Sequence, residues 1–410
     1  MSRLSSLLAA AVLGVAALSA HAQGGVAVPI GGGLKADHDR VWQRLVALAG
    51  GKDSRWVVLG TASESALASS EAAAQQLRRR GAVAEVLPVS PLLKDPPVAQ
   101  AVRDPALVAK VQAASGVFFT GGSQDRIVAS LVPGGEESPL LKAIRALQAR
   151  GGVVAGTSAG AAVMSSTMFI DAPDVLAVLK GRFKTGSEVG AGLGFVGPKL
   201  FVDQHFFKRG RLARMLPVMR AAGYTLGLGV EENAAAAVRG DEIEILGGQA
   251  LFVDLADAQQ DTVDGAYRLR GARISLLEAG DRLNMATRVL TPSADKAKQV
   301  YDPASPTFKP YYTLQPFHVD MLGDGVLPTA MGILIDATYP EVRGLAFDPR
   351  PKADDALAAL GWEVRLYKPA GAIGWYSEAS GGEDYTVHRL GLDLLPVRIA
   401  QPLYAPWSAR

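Results

Sequence analysis

Between residues 26 and 157 the chain alternates two kinds of apolar pattern. Short buried-looking runs at 26–30, 56–59, 83–87, 116–120 and 153–154 read as strands. Between them, residues 37–48 place Val41, Leu45 and Leu48 at helical spacing. Residues 65–80 are an Ala-rich helical stretch, and 105–113, 125–131 and 139–150 also suit helices. Strands alternating with helices in this way predict an α/β fold, a parallel sheet covered on both faces. Ligands of such sheets bind beyond the carboxyl ends of the strands. Three loops fall there: 31–33, 120–124 and 156–160.

Further strands are expected at 199–202, 226–230, 234–238 and 242–246. From residue 291 the pattern changes. Residues 291–310 are rich in Pro and Asp and read as a linker or extended crossing. Helices are expected at 328–337 and 354–360, and strands at 362–368, 371–377 and 385–397. The expected division is a leader at 1–22, an α/β domain at 23–290 and a C-terminal α+β extension at 291–410.

The leader stands apart from the fold. Arg3 precedes an apolar run at 7–18, and Ala20-His21-Ala22 is an A-x-A site, so a secretory signal peptide cut after Ala22 is expected. The mature protein would then be secreted or periplasmic. No later apolar run is long enough to span a bilayer, so no membrane contact is expected after cleavage. Composition adds bounds. A chain of 410 residues, 49% hydrophobic, can bury a large core and suggests two domains more readily than one. The net charge of +2 is spread along the chain and gives no reason to expect nucleic acid. There is no cysteine, which excludes thiol catalysis, Cys-ligated metal and disulfides.

The chemistry centres on Gly156-Thr157-Ser158-Ala159-Gly160. A β-branched run, a turn of small residues and a following helical stretch at 161–164 make the G-x-S-x-G nucleophile elbow, with Ser158 at its apex. The N–H of Ala159 would face a developing oxyanion. The triple glycine at 31–33 invites a dinucleotide reading, but it lacks the G-x-G-x-x-G spacing and the later acidic residue. His205 falls at a strand end beside Asp203, Gln204, Arg209, Arg211 and Arg214. Arg211 and Arg214, three apart, share one face of a helix start, where the dipole disfavours cations and a carboxylate ligand would resolve the conflict. Glu231 and Glu232 follow another strand, and alternation lets one of them orient His205. The histidines beyond His21 are scattered and no H-E-x-x-H pattern occurs, so no metal or other cofactor is expected.

These motifs meet a known family. Gly122-x-Gln124, the elbow through Ala161, Asp203-Gln204-His205-Phe206 with the three arginines, and Gly229-Val230-Glu231-Glu232-Asn233 resemble the cyanophycinase family, in order and in separation. That family belongs to the aspartyl-dipeptidase group of serine peptidases, whose fold is similar to the flavodoxin-like glutamine-amidotransferase domain. The resemblance covers about residues 26–290. It implies Ser158 as nucleophile, His205 as general base and Glu232 as the residue orienting it. It further implies Gly122 and Ala159 as oxyanion hole, and Gln124, Asp203, Gln204, Arg209, Arg211 and Arg214 as substrate-binding residues. Ser123, Glu231 and Ala234 depart from the family's usual Asp or Asn, Asp and Thr, which bears on substrate preference rather than on the triad.

The activity implied is hydrolysis of cyanophycin, a poly-aspartate carrying arginine on each side-chain carboxylate, to β-Asp-Arg dipeptides. An aspartyl dipeptidase on the same scaffold, acting on Asp-containing peptides, is the nearest alternative. A non-catalytic exported binding protein is the second. For residues 291–410, binding of polymer, contact in a homodimer and a cap over the site stay open.

Overall fold

The computed structural model describes residues 24–400 except 172, 173, 353 and 380, together with 402–404 and 407. The expected signal peptide at 1–22 lies outside the described residues.

The expected α/β architecture is present in the first of two large sheets. Five strands run parallel in the order Val83–Leu87, Arg55–Leu59, Gly116–Phe119, Val153–Thr157, Val26–Ile30. Alternation along them feeds two separate cores. Val26, Val28, Ile30, Val58, Phe118 and Ala155 pack against Val41, Trp42, Leu45 and Leu77 of helices Asp39–Leu48 and Ala66–Arg79. Ala27, Val57, Leu59, Val117, Phe119 and Val154 pack on the other face against helices Pro105–Ala113, Gln124–Leu131 and Pro139–Ala149. Each fully buried Leu, Ile or Phe contributes roughly 1.5–3 kcal/mol relative to exposure. Beyond Val26–Ile30 the sheet continues antiparallel through Ala235–Arg239, Glu242–Gly247, Arg282–Asn284 and Leu290–Thr291.

The second sheet begins with a parallel pair, Leu200–Gln204 and Leu226–Val230. It runs on through Ala250–Asp254, Ala266–Leu277, Asp384–Arg398, Leu360–Tyr367 and Glu341–Ala346 to the edge strand Phe317–His318. The C-terminal segment therefore shares a sheet with residues 200–277. It also shares a core, since Leu327, Met331, Trp362 and Leu392 belong to one apolar cluster with Phe201, Phe206, Leu216 and Leu276. The segment is α+β as expected, with its helix at Val326–Ile335.

One expected helix is absent. Residues 354–359 form turns, and Leu360 already pairs with Arg398 as the first residue of a strand. Asp355 is held there by Lys180 and Arg182 and accepts the Leu357 N–H at 2.9 Å, which fixes a turn where helix propensity alone would continue. The helix after Ser158 begins earlier than expected, a single turn over Ala159–Ala162 that starts directly at the serine.

Candidate active site

Three chain segments meet at the carboxyl end of strand Val26–Ile30. The backbone N–H of Ser158 donates to Ile30 O at 2.9 Å, that of His205 to Gly31 O at 2.7 Å, and that of Asn233 to Gly32 O at 2.7 Å. One strand end thus fixes the main chain at or beside all three members of the expected triad.

Ser158 follows strand Val153–Thr157 with φ 54° and ψ −109°, a conformation that costs a non-glycine residue about 1–3 kcal/mol. The sharp turn fits because its neighbours are small. A Cβ on Gly156 would sit 2.5 Å from Gly160 O, and one on Gly160 would sit 2.7 Å from Phe119 O. His205 also has positive φ, 48°, at the end of strand Leu200–Gln204. Both strained residues are held by packed strands, which is how such strain persists at a site.

The side chains connect directly. Ser158 Oγ lies 2.8 Å from His205 Nε2, and His205 Nδ1 lies 2.6 Å from Glu232 Oε1. With Nδ1–H donating to the carboxylate, Nε2 is left to accept the serine proton. Burial pushes the imidazole below its ordinary range; the Glu232 bond opposes this, and Arg209 and Arg211 reinforce it. His205 is therefore neutral at neutral pH, the state a general base requires.

Sequence reasoning missed the role of the triple glycine. A Cβ on Gly32 would overlap the imidazole, standing 2.8 Å even from Nδ1, and one on Gly33 would touch Glu232 Oε2 at 3.7 Å. The histidine and glutamate rest on bare backbone. The signal was visible as three consecutive glycines at a strand's carboxyl end. Glu231, the other glutamate, accepts the N–H groups of Phe207 and Lys208 and so ties down the turn after His205.

On the opposite side of the hydroxyl, a Cβ on Gly121 would lie 3.2 Å from Ser158 Cβ. The 121–122 loop therefore passes alongside the serine, while Ala159 opens the helix directly behind it. Ala159 adjoins the nucleophile in the chain, Gly121 lies against it, and Gly122 shares the cavity with it. Gly121 and Gly122 line a cavity of about 620 Å³ that opens on Ser158 and His205. Leu34, Trp42, Phe118, Ala72 and Ala73 form its apolar wall, with Trp42 stacked on Phe118 at 5.6 Å. Thr120 also lines it, with a buried hydroxyl that has no hydrogen-bond partner.

The expected substrate-binding residues divide into two groups. Arg209 is exposed and lines the cavity. Asp203, Arg211 and Arg214 are only 2%, 3% and 2% exposed and bind one another instead. Arg214 grips Asp203 through Nε (2.8 Å) and Nη2 (2.7 Å), while Arg211 Nη1 reaches Gln204 O at 2.7 Å and Asp203 Oδ1 at 3.4 Å. The carboxylate that the helix-start arginines require is thus internal. Burial would raise the Asp203 carboxyl, but Arg214 and Arg211 outweigh it and hold it low. Burial also pushes Arg211 down to about 10. Removing one partner of such a cluster leaves an unpaired buried charge, a loss of roughly 3–5 kcal/mol.

Gln124 donates to the carbonyls of Phe169 (2.7 Å) and Ile170 (3.2 Å), and the Phe169 ring lies 4.0 Å from the Arg214 guanidinium carbon. Gln204 is buried, with Oε1 unpartnered. These residues form a layer behind the triad rather than a lining of the cavity. Among the described residues, no group of His, Asp and Glu is arranged to hold a metal, and no helix is long and apolar enough to cross a membrane.

Fold and site together define the class, an α/β protein carrying the arrangement of a serine-type peptidase. The model for peptidase family S51 matches residues 29–246, and the chain belongs to that family. It is 31% identical over 199 residues to a cyanophycinase of Trichormus variabilis, covering 46% of this chain and 63% of that one. It is 32% identical over 190 residues to a cyanophycinase of Geminocystis herdmanii, covering 43% and 65%. The matched region thus spans less than two thirds of these relatives' length. A crystal structure of a peptidase from an acI-B1 Actinobacterium is similar at TM-score 0.46 and 19% identity, over 64% of this chain and 98% of that one.

Proposed function

We propose that this chain is an exported serine exopeptidase that hydrolyses cyanophycin to β-Asp-Arg dipeptides. The observation that carries the catalytic reading is the continuous Ser158–His205–Glu232 hydrogen-bonded line at the mouth of the cavity. His205 Nε2 takes the Ser158 proton as Oγ bonds to the main-chain carbonyl carbon. Charge developing on the carbonyl oxygen is met by backbone N–H groups of Gly122 and Ala159. The C–N bond then breaks, and the imidazolium gives its proton to the departing amine. Water, deprotonated by His205, attacks the acyl ester and frees Ser158.

Substrate class rests on two supports. The relatives above are cyanophycinases, and Arg209 offers the cavity a planar fork suited to a carboxylate. Export rests on the Arg3, 7–18 and Ala20-His21-Ala22 pattern, which makes Gln23 the first mature residue.

One observation favours a second reading, an aspartyl dipeptidase. The residues lining the cavity include no Asp or Glu, so an arginine side chain inside it would have no anionic partner there. An Asp-Xaa peptide with an uncharged second residue suits that wall better. The test offers purified cyanophycin granules and Asp-Xaa dipeptides to the wild type and to Ser158→Ala. Release of β-Asp-Arg by the wild type alone supports the leading reading. Turnover of the small peptides alone selects the second, and turnover by Ser158→Ala defeats both.

A further inference from the structure

The C-terminal segment meets the chain that follows His205. Its turn at 320–324 packs against the turn at 208–210, the chain that carries Arg209. Leu322 fills the space beside Gly210 so closely that a Cβ there would lie 2.7 Å from Leu322 O and 2.9 Å from Leu322 Cβ. Lys208 Nζ is paired with Asp324 on the same seam.

Both turns are anchored, though in different ways. The 320–324 turn is rooted in the second core, because Met321 is fully buried and its N–H donates to Leu345 O at 2.8 Å. Strand Phe317–His318, paired with Glu341–Ala346, precedes it, and helix Val326–Ile335 follows it. The 208–210 turn is held by backbone bonds back to the triad segment, from Arg209 N–H to His205 O (3.2 Å) and from Gly210 N–H to Phe207 O (3.2 Å). Two of its own features favour a support from outside. Gly210 takes positive φ (59°), and the Arg209 side chain is exposed.

We infer that the 320–324 turn is a strut that positions Arg209 over the cavity, so that the C-terminal segment sets substrate affinity without touching the reacting atoms. The inference rests on the peptidase reading for its kinetic consequence and on geometry alone for its structural one. A binding group displaced by even about 1 Å loses much of its effect on a bound substrate.

The decisive variant is Asp324→Asn, because two accounts of it predict opposite signs. If Asp324 were merely a surface charge near the site, removing it would leave more positive potential around Arg209 and tighten its hold on a substrate carboxylate. If it is part of the strut, the 208–210 turn loosens and binding weakens. An exposed pair supports an effect of about two- to five-fold. The strut therefore predicts a KM for the turned-over substrate raised by about that factor, with kcat and phosphonate labelling of Ser158 unchanged. Asp324→Glu should restore KM.

A second readout needs no substrate. Hydrogen exchange of the Arg209 and Gly210 amides should speed up several-fold in Asp324→Asn and in Gly210→Ala, with the strand amides of Val153–Thr157 unaffected. An unchanged or lowered KM together with unchanged exchange overturns the strut. Faster exchange in a protein that turns over neither substrate leaves the strut standing and removes the peptidase reading.

Discussion

The imidazole of His205 occupies the space a methyl group on Gly32 would fill, since a Cβ at this glycine would overlap the ring and lie 2.8 Å from Nδ1. Gly32 also adopts φ 109°, which L side chains rarely take. Gly32→Ala should therefore push His205 off the Ser158–Glu232 line and lower kcat by 100-fold or more, on the order seen when a catalytic group moves by about 1 Å. Far-UV circular dichroism should remain that of a folded protein. Activity within about twofold of wild type would show that the imidazole does not depend on this backbone.

The His205 environment sets a pH dependence. Burial, with Arg209 and Arg211 in support, places its pKa below the ordinary 6.5. Catalysis needs the neutral ring, so the acid limb of kcat/KM should fall below pH 6.5. Arg209→Gln removes one nearby positive charge, which favours the imidazolium and moves the limb to higher pH. The same depressed value means that the folded state resists protonation more than the unfolded chain. Its contribution to stability is therefore lost as pH falls below the unfolded value. A limb at or above pH 7 in the wild type would contradict this environment.

A second group titrates in the opposite sense. Glu278 is buried beside Asp281 and Lys296 and accepts Gln249 Nε2–H at 2.6 Å; burial raises its pKa to about 8. Between its ordinary 4.5 and about 8 the unfolded chain ionises while the folded protein keeps the proton, so stability declines as pH rises through that window. Glu278→Gln keeps an acceptor and removes the titration. Relative to wild type it should gain on the order of 1 kcal/mol or more by pH 8 and nothing near pH 4.5, read from denaturant unfolding at the two pH values. An equal change at both would place the effect in packing.

The sequence carries the parallel sheet well, because Val26–Ile30, Val153–Thr157 and their neighbours are short apolar runs separated by complete helices. Ser158 is legible for a local reason, since the elbow needs small residues within two positions of it. His205 and the Glu231–Glu232 pair are legible as strand-end candidates. Their roles, and the choice of Glu232 over Glu231, come from the family resemblance, since a histidine and a glutamate pair have no local pattern that fixes them. The fate of the arginines is not legible. Arg211 and Arg214 carry the same charge whether they face a ligand or Asp203, and only burial decides between them. The joining of residues 317–398 to the sheet of Leu200–Gln204 is likewise hidden, because strand pairing over such separations depends on register that no short window contains.

Ser158 itself gives a prediction about stability. Its φ of 54° with ψ −109° is strained for serine and open to glycine. Ser158→Gly should abolish turnover yet unfold at higher denaturant than wild type, by about 1 kcal/mol. A destabilised variant would mean that the hydroxyl's bond to His205 outweighs the strain.

If His205 activates Ser158 as a nucleophile, covalent labelling of the serine reads that activation without any substrate. The protein is incubated with a fluorophosphonate, digested and mapped by mass spectrometry, alongside His205→Ala. One adduct is expected, on Ser158, forming at least about 1,000-fold more slowly in His205→Ala. Labelling on another residue, or at equal rates in both proteins, would contradict it.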